Sequence, residues 1–233
     1  MVGVSASAQE ALPLPFADRA AAGRILGARL RRLTADPARG LRPGRTAVLA
    51  LPRGGVPVGR EVSAALQVPL DVLVTRKIGY PLQPELGVGA IAEDGRPFFD
   101  AEMLERLGLT AAGLAAVVRR ERAELDRRVA AYRGGRAMIG VRDKDVIVVD
   151  DGLATGVTAT AALRAVREAG AHRTILAVPV AAPSSATAML AEADLVVVLA
   201  APRAFRAVGE WYQLFGQLTD ADVVRLLAPA GPG

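Results

Sequence analysis

The chain is predicted to fold as a doubly wound α/β domain around a mainly parallel five-stranded sheet flanked by helices. Five short β-rich runs, Thr46 to Leu51, Leu70 to Thr75, Val146 to Val149, Thr174 to Val180 and Leu195 to Leu199, are almost continuously apolar, as strands buried on both faces are. Helical stretches near Pro57 to Leu66, Thr158 to Ala169 and Ser184 to Ala193 alternate with them, which favours right-handed crossovers between parallel strands. At 233 residues the chain is also long enough to bury one sizeable core without disulfides or structural metals.

Before the first strand, Phe16 to Leu33 carries Ala22, Ile25, Leu26, Leu30 and Leu33 at helical spacing, and Asp36-Pro37 is the expected stop. A Gly/Pro/Arg loop follows through Arg45. Two later regions break the rhythm of strand and helix. Gly79 to Pro97 is rich in Gly and Pro and reads as a loop with an extended piece around Val88 to Ala92, and Glu102 to Tyr132 reads as one or two charged helices. Neither an internal repeat nor a domain linker interrupts the pattern, so one domain is expected.

Composition excludes several chemistries. There is no cysteine, which removes disulfides, thiolate metal sites and a cysteine nucleophile, and fits a reducing cytoplasm. The single histidine, His172, falls in a turn between helix and strand and reads as structural or solvated. Met1 to Pro15 lacks the basic start and apolar run of a signal peptide, and no segment is apolar over a bilayer-spanning length. The net charge of +5 would suit nucleic acid, but aromatics at 4% leave few stacking platforms for single strands. The run Arg119, Arg120, Arg122, Arg127 and Arg128 is interleaved with Glu121, Glu124 and Asp126, the pattern of a solvated helix with i,i+4 ion pairs.

The segment from Val146 to Thr158 carries the most chemical information. A buried strand, the acids Asp150 and Asp151, a small-residue turn and a helix start follow in that order. In an open α/β sheet ligands bind beyond the carboxyl ends of strands, where these acids emerge. The turn offers backbone N–H groups and threonine hydroxyls at a helix N-terminus, a cradle for a phosphate. Carboxylates cannot accept a phosphate, but they accept hydrogen bonds from vicinal hydroxyls and hold hydrated magnesium. Acids beside a phosphate cradle therefore describe a phosphorylated sugar. Helix capping alone would account for one acid, not two.

This segment resembles the 5-phosphoribosyl 1-pyrophosphate (PRPP) signature of the type I phosphoribosyltransferase family. The resemblance implies that Asp150 and Asp151 engage the ribose hydroxyls and magnesium, the latter directly or through water. Ala154, Thr155, Gly156, Val157 and Thr158 would hold the 5′-phosphate. Gly152 stands where the family more often has an apolar residue. Two more elements join it. Pro52-Arg53-Gly54-Gly55 after the first strand would be the pyrophosphate loop, which in the family often contains a cis peptide, expected here between Arg53 and Gly54. Arg76 and Lys77 would contact the pyrophosphate, with Ile78 to Gly89 as a mobile lid.

The acceptor end rests on Trp211, Tyr212 and Phe215, which could stack on a planar base or could equally fill core beneath the C-terminal tail. The implied architecture is a single domain over 16–228 with a small hood, a helical insertion at about 98–135, and flexible segments at 1–15 and 229–233. The implied function is magnesium-dependent transfer of the phosphoribosyl group to a base or related acceptor, in a protein that could act as a homodimer. A regulatory protein of the same fold that binds PRPP or a nucleotide without turnover is the alternative. A dinucleotide-dependent oxidoreductase would need a glycine fingerprint that the sequence lacks.

Overall fold

The computed structural model describes residues 12–34, 40–42, 44–93 and 95–228. The expected helix stop at Asp36-Pro37, the tail at 229–233 and most of the N-terminal segment lie outside the described residues.

The chain opens with helix α1 (Arg19–Thr34), then strand β1 (Thr46–Ala50), helix α2 (Gly55–Leu66) and strand β2 (Leu70–Val72). A second group follows: β3 (Thr75–Tyr80), β4 (Gln83–Ala92), β5 (Phe98–Phe99), α3 (Ala101–Arg106) and α4 (Ala115–Arg133). Strand β6 (Asp145–Val149), helix α5 (Val157–Glu168), β7 (Arg173–Val180), α6 (Pro183–Ala188) and β8 (Leu195–Ala200) restore the alternation, and α7 (Asp220–Leu227) ends the described chain.

Five strands form one parallel sheet in the order β2-β1-β6-β7-β8, the predicted architecture. The placing of β6 at the centre explains why Val146 to Val149 is apolar at every position. Val146 and Val148 pack under α5 with Leu163 and Val166, whereas Ile147 and Val149 pack under α1 and α2 with Leu26, Leu30, Val58 and Val62. Both faces are covered, so the period-2 alternation of a half-exposed strand is lost.

The region read as a loop and lid is instead mostly β-structure. Thr75–Tyr80 and Gln83–Ala92 pair as an antiparallel hairpin, with β5 added along β4. Its base is fixed on two sides: Ala90 and Ala92 against Val157 and Ala161 of α5, and Ile78 and Val88 against Leu114. Only the tip is bare, Leu82 being 83% exposed. The second predicted strand is correspondingly short, because the chain leaves the parallel sheet after Val72 and enters the hairpin at Thr75.

The charged stretch 102–132 resolves into α3 and α4. Helix α4 is solvated on one side, but Leu125 and Tyr132 join Val72, Val74 and Ile91 in the core. At the chain's end, α7 is started by a full capping box: Thr219 Oγ1 accepts from the Asp222 N–H at 3.2 Å, and Asp222 Oδ2 accepts from the Thr219 N–H at 2.8 Å. The Thr219 N–H, followed by the Thr219 hydroxyl and Arg225, holds the Asp222 carboxyl down to about 2. Thr219→Ala is expected to cost about 1 kcal/mol in chemical denaturation, with hydrogen exchange rising first in α7.

Candidate active site

Strand β6 ends at Val149 and delivers Asp150 and Asp151 at the carboxyl edge of the sheet. The Asp150 carboxylate turns back on the chain, its Oδ1 accepting from the Asp151 N–H at 2.8 Å. Asp151 Oδ2 accepts from Arg19 Nε at 2.8 Å, in a pair whose side chains are 14% and 12% exposed. Burial, then the neighbouring Asp151 charge, pushes the Asp150 carboxyl well above the usual range; burial also raises Asp151, with the Arg19 guanidinium pulling the other way.

The loop between β1 and α2 lies directly against these acids. A Cβ on Gly54 would stand 2.0 Å from Asp151 Oδ2, and one on Gly55 would stand 2.5 Å from the Val149 carbonyl oxygen. A side chain at Gly54 would have to displace the Asp151 carboxylate, and one at Gly55 would have to displace backbone. The cis peptide of this loop is Pro52-Arg53, one bond earlier than the expected Arg53-Gly54. Arg53 donates from Nε to Asp220 Oδ1 at 3.0 Å and from Nη1 to the Leu218 carbonyl at 2.8 Å.

Beyond the acids the chain makes the predicted turn into α5. Gly156 caps the helix with φ +79°, a left-handed conformation that suits glycine. The N–H groups of residues 154–158 have no acceptor among the described residues, and Ala154 and Thr155 are exposed. Five donors at one helix start are thus without a partner among the described residues, those of Ala154 and Thr155 on exposed residues. The space a side chain at Gly152 would take is filled by Val208, whose Cγ1 would stand 2.5 Å from such a Cβ.

Arg76 and Lys77 part company. Arg76 is paired across the hairpin with Ile91 and points to the α4 side, where Glu121 Oε2 accepts from its Nη2 at 2.7 Å. Lys77 is paired with Ala90, a residue that packs on the N-terminal turn of α5, and its Nζ donates to the Glu85 carbonyl at 2.7 Å. By strand alternation Lys77 is therefore on the face toward the phosphate turn and Arg76 is not.

The three aromatics are built into the wall beside Asp151. Tyr212 is 5% exposed, lies 5.7 Å from the ring of Phe16 and stacks on Phe215 at 5.2 Å, and its hydroxyl donates to the Asp151 carbonyl. Burial, then the Asp151 charge, keeps its phenol protonated well past the ordinary range. Phe215 is 36% exposed, with the Arg19 guanidinium 3.8 Å above its ring, and Trp211 packs at the margin of the same cluster. A cleft of about 370 Å³ opens next to this wall, lined by Arg19, Arg53, Gly54, Arg128, Asp151, Gln217 and Leu218.

A family model described as phosphoribosyl transferase domain matches residues 21–199. The chain belongs to the phosphoribosyl transferase family. Within it, the chain is 44% identical over 212 residues to a Mycobacterium tuberculosis protein named "Putative phosphoribosyl transferase", known from strains CDC 1551 and H37Rv. That alignment covers 91% of this chain and 46% of the relative, so the chain spans about half the length of the curated relatives it matches. Among solved structures, the protein TT1426 from Thermus thermophilus is 39% identical and superposes with a TM-score of 0.76 over 91% of this chain and 97% of that one.

Sequence reasoning missed Arg19, Asp220 and Arg128. Arg19 left one signal: an arginine opening a helix opposes the helix dipole, and α1 has no acid in its first turn. Asp18 caps the same helix start, its Oδ1 accepting from the Ala21 N–H at 2.7 Å, and Asp151 receives the Arg19 charge. Asp220 and Arg128 left none. No helix among the described residues is long and apolar enough to cross a membrane.

Proposed function

We propose that this phosphoribosyl transferase domain binds PRPP with magnesium and transfers its phosphoribosyl group to a nitrogen of a base or related acceptor, releasing pyrophosphate. The observation that carries this reading is the close approach at the end of β6. The Gly54-Gly55 loop presses on Asp150 and Asp151, and the turn at 154–158, whose N–H groups have no acceptor among the described residues, follows directly in the chain. The turn at 154–158 would hold the 5′-phosphate, and the acids would accept hydrogen bonds from the ribose hydroxyls.

The described residues contain no group of three potential metal ligands. Two carboxylates fall well short of the six oxygens that magnesium takes, so they fit an ion that arrives chelated by the substrate, held by Asp150 and Asp151 through water. When bound, magnesium supplies charge neutralisation for the leaving diphosphate. The chain adds Arg53 on the pyrophosphate side and Lys77 on the face toward the phosphate turn, while the acids would stabilise positive charge at the ribosyl carbon. The β3–β4 hairpin is the candidate cover that keeps water from the activated sugar. The rings of Trp211, Tyr212 and Phe215 would act mainly by fixing the acceptor wall.

Calorimetric titration with PRPP, with and without magnesium, tests the reading. Wild type should bind saturably only with magnesium, and Asp150→Asn/Asp151→Asn should weaken binding roughly 100-fold or more, as expected for losing two charge-assisted hydrogen-bond acceptors. No binding to folded wild type would overturn the proposal. Binding without pyrophosphate release, across a panel of nucleobases, would favour the regulatory alternative.

A further inference from the structure

We propose that Arg128 of α4 is a diphosphate-binding residue, and that α4 thereby supplies part of the ligand site. This inference rests on the reading of the cleft as a PRPP site.

Arg128 is on the face of α4 turned to the cleft, with its side chain 15% exposed. Its Nε donates to Glu124 Oε1 at 2.8 Å, and its two terminal nitrogens have no acceptor among the described residues, yet neither is sealed from solvent. The other two cleft arginines are more fully used. Arg19 gives Nε to Asp151 and Nη1 to the Gly216 carbonyl, and Arg53 gives Nε to Asp220 and Nη1 to the Leu218 carbonyl, leaving one terminal nitrogen on each. Arg128 therefore brings the largest share of uncommitted donors to this cleft, in the planar fork that suits phosphate oxygens.

The ligand class follows from having two separate anion sites near Asp151. The turn at 154–158 offers backbone donors at a helix start and contributes nothing to the walls of the arginine cleft, which Gly54 and Asp151 help to line. A ligand that fills both carries one phosphate at one end and a more highly charged group at the other. The neighbours of Arg128 are arranged to keep it in place. Glu124 binds Arg127 as well as Arg128, Arg127 reaches Asp220 at 3.1 Å, and Asp220 also accepts from Arg53 at 3.0 Å and from Tyr132 at 2.6 Å. The Arg127 and then Arg128 guanidinium groups hold the Glu124 carboxyl down to about 2, so this network stays ionised across the neutral range.

The test is calorimetric titration of magnesium pyrophosphate, magnesium PRPP and ribose 5-phosphate into wild type, Arg128→Ala, Arg128→Lys and the control Arg119→Ala on the exposed side of α4. Arg128→Ala should weaken pyrophosphate and PRPP roughly 10- to 100-fold and leave ribose 5-phosphate unchanged, with Arg119→Ala like wild type. Arg128→Lys, which keeps the charge and the packed stem, should show a smaller loss on the same two ligands and carries the test if the alanine variant melts early. Unchanged pyrophosphate binding in Arg128→Ala, or an equal loss of ribose 5-phosphate, would overturn the assignment. Wild type that binds pyrophosphate but not PRPP would instead overturn the transfer reading, and the pyrophosphate titration would still decide the role of Arg128.

Discussion

Arg133→Met is expected to lower folding stability by about 3–5 kcal/mol, the cost of leaving buried carboxylates without their cation. Arg133 is 4% exposed in its side chain, and its partners Glu93 and Asp71 are 5% and 11% exposed. The guanidinium donates to both Glu93 oxygens, to Asp71 and to the Val72 carbonyl. Those carboxylates in turn accept the N–H groups of Val74, Val72 and Ile139, so one arginine ties the end of α4 to β2 and to the base of the hairpin. Burial already raises the Glu93 carboxyl, against the pull of Arg133. Without the arginine it should rise further and take up a proton in the folded state. A folded-state pKa above the unfolded one gives stability that is lost as pH rises, so the deficit of Arg133→Met should be smaller near pH 5.5 than near pH 8. Urea titrations at the two pH values measure this, and adding Glu93→Gln to the variant should recover part of the loss and flatten its pH dependence. A deficit below about 1 kcal/mol at both pH values would mean that the cluster is more hydrated than its burial implies.

The second large effect is expected on the ligand. Gly54→Ala should weaken magnesium PRPP roughly 100-fold or more while costing only about 1–3 kcal/mol of stability, the usual range for overpacking. The added methyl would fall on the Asp151 carboxylate, 2.0 Å from Oδ2 and 2.5 Å from Cγ. Either Asp151 must swing away from Arg19 or the loop carrying Arg53 must lift, and each outcome dismantles one side of the proposed site. Gly140→Ala, where a Cβ meets nothing within 4 Å, is the matched control. Normal PRPP affinity in a well-folded Gly54→Ala variant would show that the close approach is only packing.

The sheet and the Asp-Asp turn were legible because their signals are local. Continuous apolar runs follow from strands covered on both sides, and the order of strand, acids, turn and helix fits within Val146 to Thr158. Of the hairpin only the extended piece around Val88 to Ala92 was legible, and it falls in β4; the rest was hidden for a physical reason, because its glycines look like loop residues but mark close backbone approach. A Cβ on Gly79 would stand 2.3 Å from the Pro84 carbonyl oxygen, and one on Gly89 would stand 2.3 Å from that of Phe98. Arg128 was hidden by sitting among solvated charges of the same helix. Arg19 and Asp220 were hidden because their partners are far away in sequence; Arg19 reaches Asp151 across 132 positions.

The same long-range contacts order events in time. Phe16 bridges to Tyr212, and Arg19 fastens to the Gly216 carbonyl 197 positions away. During synthesis, the acids of β6 emerge with most of the sheet, whereas the residues that clasp Arg19 against Asp151 come much later. Closing so long a loop is slow relative to local helix and strand formation. The chain can therefore hold a nearly complete sheet while Asp151 still lacks its finished surroundings.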